Sequence, residues 1–267
     1  MRISIIGNND GPERLARAAR AGGHEVIFTG LQKQEVPDEA TAISLLAPLD
    51  FDLLVNCFAN FRYRELHHRY PAVNVHLAPL PAYRGRHPLQ WALINGEKQF
   101  GVTIHDINDN YDDGAIRWQQ MVEVNDGWSA ADLRERLMQL VESGFASFLD
   151  HYAVGAAGLP NDPAKASYVT RRYPEDGLLE EWSDREYLYR KVNALRDDEH
   201  QAYLMHEGRR YACTAARRGT RIFAGAVTTT VVGRSKTEYE IVCGDGLTLW
   251  LKLPGLHLRI NDKLSTQ

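Results

Sequence analysis

Cysteine is scarce in this sequence, and the spacing of the few that occur argues against a CxxC pair and against a structural zinc site. Cys57, Cys213 and Cys243 lie far apart, so they form no CxxC pair and no Cys/His pattern of the kind that binds structural zinc. A chain of 267 residues buries enough surface to fold without a disulfide or a metal. We therefore expect free thiols and a reducing, cytoplasmic compartment.

Long apolar runs are also missing. No segment approaches the roughly 18 consecutive apolar residues that a membrane-spanning helix needs, so we expect no membrane partner. The opening MRISIIGNND becomes polar after a few residues, which is too early for a signal peptide and typical of a first β-strand.

No excess of positive charge marks a surface for nucleic acid. The formal net charge is −4, and residues 171–267 hold sixteen Lys and Arg against fourteen Asp and Glu. Proteins that bind a polyphosphate usually show a basic surplus, so nucleic acid is not the expected partner. The basic cluster of Arg217, Arg218 and Arg221 is interpreted as a solvated turn.

Two catalytic signatures are absent as well. The turn after the first predicted strand reads GNNDG, not the GxGxxG of a dinucleotide site. There is no GxSxG, and Cys57 lies in an apolar segment, so no serine or cysteine is placed as a nucleophile. Any group transfer is therefore expected to go by direct attack, without a covalent enzyme intermediate.

The sequence does contain a regular alternation of strand and helix patterns. Compact apolar segments at 2–6, 24–30, 51–59 and 71–77 alternate with helical periodicity, which predicts an α/β fold with a parallel sheet. Ligands of such sheets bind beyond the carboxyl ends of the strands. Three groups of residues fall at those ends, namely Asn8 and Asn9, residues 57–60, and residues 74–76.

The later part of the sequence changes character. Predicted strands at 100–109 and 117–125 precede a long amphipathic helix with Ser129 as its N-cap. Around 155–168 the composition is that of a linker, and beyond it come a short helix and several short strands separated by glycine. We predict two domains, a catalytic domain over 1–160 and a small β-rich domain over 161–267.

One segment carries residues suited to acyl transfer. Asn74 and His76 stand two apart at a predicted strand end, and the acidic pair Asp112 and Asp113 follows in a loop. An amide NH₂ can stabilise a carbonyl oxygen that gains negative charge, and a neutral histidine can take a proton near pH 7. A nearby carboxylate can orient the imidazole or relay a proton. Judged by spacing alone, however, Asn-x-His is more often structural.

The longer string NVHLAPLPAYRGRHPLQWALINGEKQFGVTIHDINDNYDDGAI resembles the core of the formyltransferases that use N10-formyltetrahydrofolate. Asn-x-His, LPxxRG, a tryptophan-bearing helix, a GVT strand and an acidic loop ending in glycine occur in the family's order. The resemblance implies a Rossmann-like, mostly parallel core, N10-formyltetrahydrofolate as formyl donor, and a catalytic triad of Asn74, His76 and Asp112. Asp113 stands where the family usually has Thr, and we expect it to face solvent or cap the loop.

The resemblance also implies roles around the triad. Asn74 would hold the formyl oxygen, His76 would accept the proton of the attacking amine, and Asp112 would orient His76 and assist the leaving group. Residues expected to bind the donor are Leu80, Arg84, Gly85, Asn108, Asp109 and Asn110. Residues expected to line the acceptor pocket are Tyr83, His87 and Trp91, although a packing role suits each equally well. Arg84 suits a phosphate or the acidic loop.

The acceptor divides the functional hypotheses. RGRHPLQWALIN is closer to the amino-sugar enzymes, which favours a nucleotide-linked amino sugar (dTDP, UDP or GDP), a homodimer and a role in O-antigen synthesis. The alternative is methionyl-tRNA formyltransferase, since TRRYPEDGLLEEW is similar to the start of its second domain, although RDDEHQAY then departs from it. A hydrolase of the same folate and a non-catalytic binding protein stay open.

His67 and His68 are interpreted as an exposed helical pair, so no metal site is expected.

Overall fold

The computed structural model describes residues 1–264, which divide into two compact units. The first comprises Met1–Pro88, Gln99–Glu123 and Arg134–Thr170. The second comprises Leu89–Lys98, Val124–Leu133 and the described residues from Arg171 onward. The division into domains at residue 160 stays a prediction, because compactness alone does not define which segments fold independently.

The first unit is built from strands and helices in alternation. Its strands are β1 (Arg2–Gly7), β2 (Glu25–Leu31), β3 (Leu53–Cys57), β4 (Ala72–His76), β5 (Arg84–Gly85), β6 (Gln99–Asp106), β7 (Ile116–Glu123) and β8 (Tyr168–Val169). Its helices are α1 (Gly11–Ala21), α2 (Glu39–Leu46) and α3 (Leu66–Arg69). Two more helices, α4 (Pro88–Asn95) and α5 (Ala130–Ala153), have residues in both units.

The main sheet of the first unit has the strand order β2-β1-β3-β4-β6-β7. The first four strands are parallel to one another. Strand β6 runs antiparallel to β4, and β7 runs antiparallel to β6. Strands β1 and β3 are almost wholly buried, as expected for parallel strands that are covered on both faces and rich in apolar residues. The predicted α/β fold with a mostly parallel sheet is confirmed.

The helix ends follow the predicted signals. Helix α1 stops before Gly22, and Gly23 adopts a positive φ of 83° that suits glycine. Helix α5 begins after Ser129, whose Oγ accepts a hydrogen bond of 3.2 Å from the Asp132 N–H. The predicted N-cap is therefore confirmed. Helix α3 is limited to four residues.

The second unit is β-rich, as predicted. Its own elements are α6 (Arg185–Ala194), β9 (Tyr203–His206), β10 (Arg209–Ala212), β11 (Ala215–Ile222), β12 (Val231–Arg234), β13 (Glu238–Val242) and β14 (Leu247–Lys252). Four of the strands form an antiparallel sheet in the order β11-β14-β13-β12, and β9 pairs with β10. Helix α6 packs its apolar face inward, with Leu188, Val192 and Leu195 fully buried.

One local prediction in the second unit is wrong. Arg217, Arg218 and Arg221 lie in strand β11 and not in a turn. Alternation along the strand spreads the three side chains over both faces of the sheet, and each pairs with an acidic side chain. Among the helices within residues 1–264, none combines the length and the apolar character that crossing a membrane requires.

Candidate active site

Strand register brings three polar side chains together in the first unit. Asn56 on β3 is paired in parallel register with Asn74 on β4, and Asn74 is paired in antiparallel register with His105 on β6. The three residues therefore lie side by side across neighbouring strands near the carboxyl ends of β3 and β4. Ligands of open α/β sheets bind at this edge.

The amide of Asn74 is held in one orientation. The Asn56 Nδ2 donates to the Asn74 Oδ1 at 2.8 Å, and Asn56 is itself fixed because its Oδ1 accepts from the Ala59 N–H at 3.0 Å. With its oxygen occupied, Asn74 turns its Nδ2 toward His105, whose Nε2 accepts at 3.1 Å. Within residues 1–264 the second N–H of that NH₂ has no partner. It is the donor available to an incoming oxygen.

His76 is buried and neutral. Its Nε2 lies 3.0 Å from the carbonyl oxygen of Tyr83, which can only accept, so the Nε2 carries the proton and the Nδ1 is unprotonated. Burial lowers the pKa of His76 below its usual value, against the opposing effect of the Asp112 charge. The Nδ1 is therefore a base near pH 7, and it lies 3.6 Å from the Asp112 Oδ1.

Asp112 lies between two imidazoles. Its Oδ1 is 3.6 Å from the His76 Nδ1 and 3.6 Å from the His105 Nε2, and its Oδ2 accepts from the Gly85 N–H at 2.9 Å. Burial would raise the pKa of Asp112, but the two imidazoles and the Gly85 N–H together lower it to about 2. The carboxylate is therefore ionised, and it can stabilise positive charge that forms on His76.

A second group of side chains, here called the Arg84 clamp (Arg84, Asp113 and Asn161), fixes the loop that carries Asp112. The Arg84 side chain is only 3% exposed; its Nη1 pairs with the Asp113 Oδ1 at 2.6 Å, and its Nη2 donates to the Asn161 Oδ1 at 2.7 Å. Asn161 in turn donates from its Nδ2 to the carbonyls of Asp112 and Gly114, at 2.9 and 3.0 Å. Asp112 has a positive φ of 50°, a conformation that persists only where its surroundings enforce it.

Two glycines permit the close approaches on which this arrangement depends. A Cβ on Gly114 would overlap the carbonyl oxygen of Asp106, and one on Gly85 would overlap the carbonyl oxygen of Val169. Gly85 also has a φ of 111°, which disfavours any other residue. Its N–H thereby reaches Asp112.

The structure brings the three predicted catalytic residues together and gives Asp113 a different place from the one expected. Asn74, His76 and Asp112 belong to one contact network through His105. Asp113 does not face solvent as a bystander, because it pairs with the buried Arg84. Of the two partners considered for Arg84, the structure shows the acidic loop.

The residues expected to bind the donor fall into two groups. Leu80 is buried, and its backbone groups bond to Thr103 and Gln119. The two Nη atoms of Arg84 and the N–H of Gly85 are likewise engaged within the protein. The other three lie in the loop after β6, where Asn108 is half-buried and its side chain accepts from the Asn110 N–H at 3.0 Å. Asp109 and Asn110, the other two of the three, are exposed.

The residues expected to contact the acceptor belong to both units, Tyr83 and His87 to the first and Trp91 to the second. Tyr83 packs edge-on against Phe100, with ring centroids 5.1 Å apart. His87 is half-buried with a φ of 62°. Trp91 is half-buried on α4, in the stretch that belongs to the second unit.

Sequence reasoning missed two residues of this site. Asn56 is a polar residue near the end of the apolar stretch FDLLVNCFA, and its buried amide could have been recognised as needing a partner. Asn161 offered no signal, because it lies in a segment interpreted as a linker, 77 positions from Arg84.

Comparison with known proteins agrees with this geometry. The family model described as "Formyl transferase" matches residues 2–149, which is more than half of the chain. The chain belongs to the formyl transferase family.

Individual relatives differ in how much of the chain they match. Methionyl-tRNA formyltransferase of Kosmotoga olearia is 35% identical over 122 residues, which cover 45% of this chain and only 39% of the relative. HypX from Aquifex aeolicus in complex with tetrahydrofolic acid has a TM-score of 0.74 at 19% identity, over 94% of this chain and 43% of that one. WlaRD, a sugar 3N-formyl transferase solved with dTDP and 5-N-formyl-THF, has a TM-score of 0.72 at 14% identity, over 96% of this chain and 99% of that one.

Proposed function

We propose that this protein transfers a formyl group from N10-formyltetrahydrofolate to the primary amine of a nucleotide-linked amino sugar. The observation that supports formyl transfer is the bonding and protonation of three groups in one network. They are the N–H of Asn74 that has no partner within residues 1–264, the unprotonated Nδ1 of His76 and the ionised Asp112. These are an oxyanion donor, a base and a counter-charge, which direct acyl transfer to an amine requires.

Each residue has a separate task in this proposal. The folate donor, when bound, supplies the formyl group and a nitrogen leaving group. Asn74 donates to the formyl oxygen as it gains negative charge during attack by the amine. His76 takes the proton that the amine nitrogen loses, and Asp112 stabilises the resulting imidazolium at 3.6 Å from the Nδ1. The same imidazolium then returns the proton to the leaving nitrogen, so that no proton is gained or lost overall.

The loop after β6 is the part of the site that suits the donor. A pterin ring presents alternating hydrogen-bond donors and acceptors along its edge. The stretch from Asn108 to Asn110, whose last two residues are exposed, offers amide and carboxylate side chains together with backbone groups, and it ends two residues before Asp112. The internally bonded groups of Leu80, Arg84 and Gly85 are assigned to holding that wall in place. The folates named in two of the related structures support the same donor.

Charge pairing in the second unit favours a sugar acceptor over tRNA. The basic side chains of β11 are neutralised by acidic partners: Arg217 by Glu238, Arg218 by Asp126 and Glu186, and Arg221 by Glu240. Binding to RNA draws on unpaired Lys and Arg that can replace counterions on phosphates.

The proposal also includes a homodimer and a role in O-antigen synthesis. A measurement of the molar mass in solution tests the homodimer.

The experiment compares acceptors directly. Nucleoside diphosphates and nucleotide-linked amino sugars of the dTDP, UDP and GDP series are screened for thermal stabilisation, with and without the folate. Stabilising sugars are then tested for formylation by mass spectrometry, beside methionyl-tRNA. We expect stabilisation by one nucleotide series and formylation of its amino sugar. Formylation of the tRNA, with no effect of any nucleotide sugar, would establish the alternative, methionyl-tRNA formyltransferase.

A further inference from the structure

Helix α3 and the loop after β6 bring three metal-binding side chains together outside the catalytic network. The Nε2 of His67 lies 3.0 Å from the Asp109 Oδ1, and the Nε2 of His68 lies 3.3 Å from the same oxygen. One ligand atom from each residue falls within 4.8 Å of the other two. The predicted exposed pair is wrong for His67, whose side chain is 5% exposed, whereas that of His68 is 61% exposed.

The separations match those around a small tetrahedral metal ion. Zinc binds histidine nitrogen at about 2.0–2.1 Å and carboxylate oxygen at about 2.0–2.2 Å, which places neighbouring ligand atoms about 3.3–3.5 Å apart. The two nitrogen–oxygen distances, 3.0 and 3.3 Å, need little adjustment to reach that range. Successive helical residues usually diverge by about 100° around the axis, yet both imidazoles turn their Nε2 to one carboxylate.

The bonds that now hold the cluster are of a kind that an ion could replace. The Asp109 carboxylate is 77% exposed, and hydrogen bonds at such an exposed group add little stability. Within residues 1–264 the buried Nδ1 of His67 has no partner, and the ring makes its hydrogen bond to Asp109 through its Nε2.

We propose that His67, His68 and Asp109 form a binding site for one divalent transition metal ion such as zinc, with water completing the coordination. The ion would replace the protons that now lie between the two Nε2 atoms and the carboxylate. An ion here would connect α3 to the loop after β6, in which Asp109 precedes Asp112 by three residues. The proposal does not depend on which acceptor the enzyme uses, or on formyl transfer itself.

The test measures metal binding and not activity. Metal-free protein is titrated with Co²⁺, whose visible absorption bands are intense in four-coordinate sites, and with Zn²⁺ by calorimetry. We expect one ion per chain with the four-coordinate spectrum. His68→Ala and Asp109→Asn should each weaken binding at least about tenfold, the range found when groups supporting a metal site are removed.

The controls separate this site from surface histidines in general. His151→Ala removes an exposed histidine of α5 and should leave the affinity unchanged. Because His68 and Asp109 are exposed, their variants should keep the wild-type melting temperature in the absence of metal. Absence of stoichiometric binding by the wild type, or equal affinity in all four proteins, would show that the cluster is only a hydrogen-bonded group.

Discussion

Two clusters of charged and polar side chains, one in each unit, differ in how completely their members are hydrogen-bonded to one another. In the second unit, Arg218 donates to Glu186 at 2.7–3.0 Å and to the Asp126 Oδ1 at 3.0 Å, and its guanidinium lies 3.7 Å from the centre of the Tyr189 ring. In the first unit, Asp112 is 3.6 Å from each of its imidazole neighbours, beyond hydrogen-bond length.

The difference concerns spare hydrogen-bonding capacity. Around Arg218 the donors and acceptors satisfy one another, and the pKa values of Asp126 and Glu186 are lowered chiefly by that guanidinium. Such an array holds elements together and has nothing left for a ligand. The network of Asp112 keeps a basic nitrogen and an N–H available, and it relies on neighbours such as Asn56 for its rigidity. Active sites commonly retain such unsatisfied groups in a supported frame.

The largest expected effect is at Asp112. Asp112→Asn removes the charge that stabilises a protonated His76, and we expect kcat to fall by about 10²–10⁴, the range for general acid–base catalysis. The measurement is kcat and KM with the acceptor identified by the nucleotide screen.

Asp113→Asn is the matched control, one residue away. It unpairs Arg84 from a buried ion pair, so we expect a lower melting temperature and a much smaller loss of kcat in the protein that remains folded. If Asp113→Asn abolishes turnover and Asp112→Asn does not, the two acids have been assigned in the wrong order.

Asn74 should be next in size. Asn74→Ala removes the proposed donor to the formyl oxygen, and loss of one such donor typically lowers kcat by about 10²–10³. Asn56→Ala leaves Asn74 in place but frees its amide to rotate, so it should cost less and leave KM nearly unchanged. Equal activity of Asn74→Ala and wild type would contradict the oxyanion role.

A smaller effect is expected from the Arg84 clamp. Asn161→Ala leaves the carbonyls of Asp112 and Gly114 without their donor, at a cost of about 1–3 kcal/mol in the free energy of unfolding. Since the site tolerates only small displacements, kcat should fall by less than in Asn74→Ala. The neighbouring Asp162→Ala loses a local bond to the Ala164 N–H and an exposed ion pair with Lys165, and it serves as the control. Identical melting temperatures and rates for both variants would argue against a positioning role.

The sequence predicted those features that depend on local patterns. The strands, the N-cap at Ser129 and the place of the site follow from periodicity and from the rule that ligands bind at strand ends. The grouping of Asn74, His76 and Asp112 came from motif order, which carries information about the family's fold. The assignment of the triad by role stays a prediction until the variants are measured.

Features that depend on pairing between distant segments could not be predicted from the sequence. The bond from Asn56 to Asn74 requires the register of β3 and β4, and the contact from Arg84 to Asn161 joins residues 77 positions apart. For Asp113 the sequence predicts a position that faces solvent or caps the loop, and no local pattern indicates its ion pair with the buried guanidinium of Arg84.

The pH dependence should report His76. Because burial lowers its pKa, the acid limb of kcat/KM should have its midpoint below the unperturbed value of about 6.5. Activity falls as pH falls through that midpoint, since protonation removes the base; Asp112, with a pKa of about 2, stays charged throughout. In Asp112→Asn the opposing charge is gone, so the limb of the residual activity should move to still lower pH. A shift to higher pH would contradict the assignment.

The smallest effect on catalysis is expected for a substitution of Arg218. This variant also tests the contrast between the Arg218 cluster and the Asp112 network most strictly. Arg218→Ala leaves Asp126 and Glu186 without their shared partner, and both are substantially exposed, so the loss of stability should be about 1 kcal/mol or less. Rates per folded molecule should match wild type, because the saturated cluster has no group to offer a substrate. If the variant keeps its stability but loses affinity for a nucleotide sugar, Arg218 binds the acceptor, and the second unit contains part of the site.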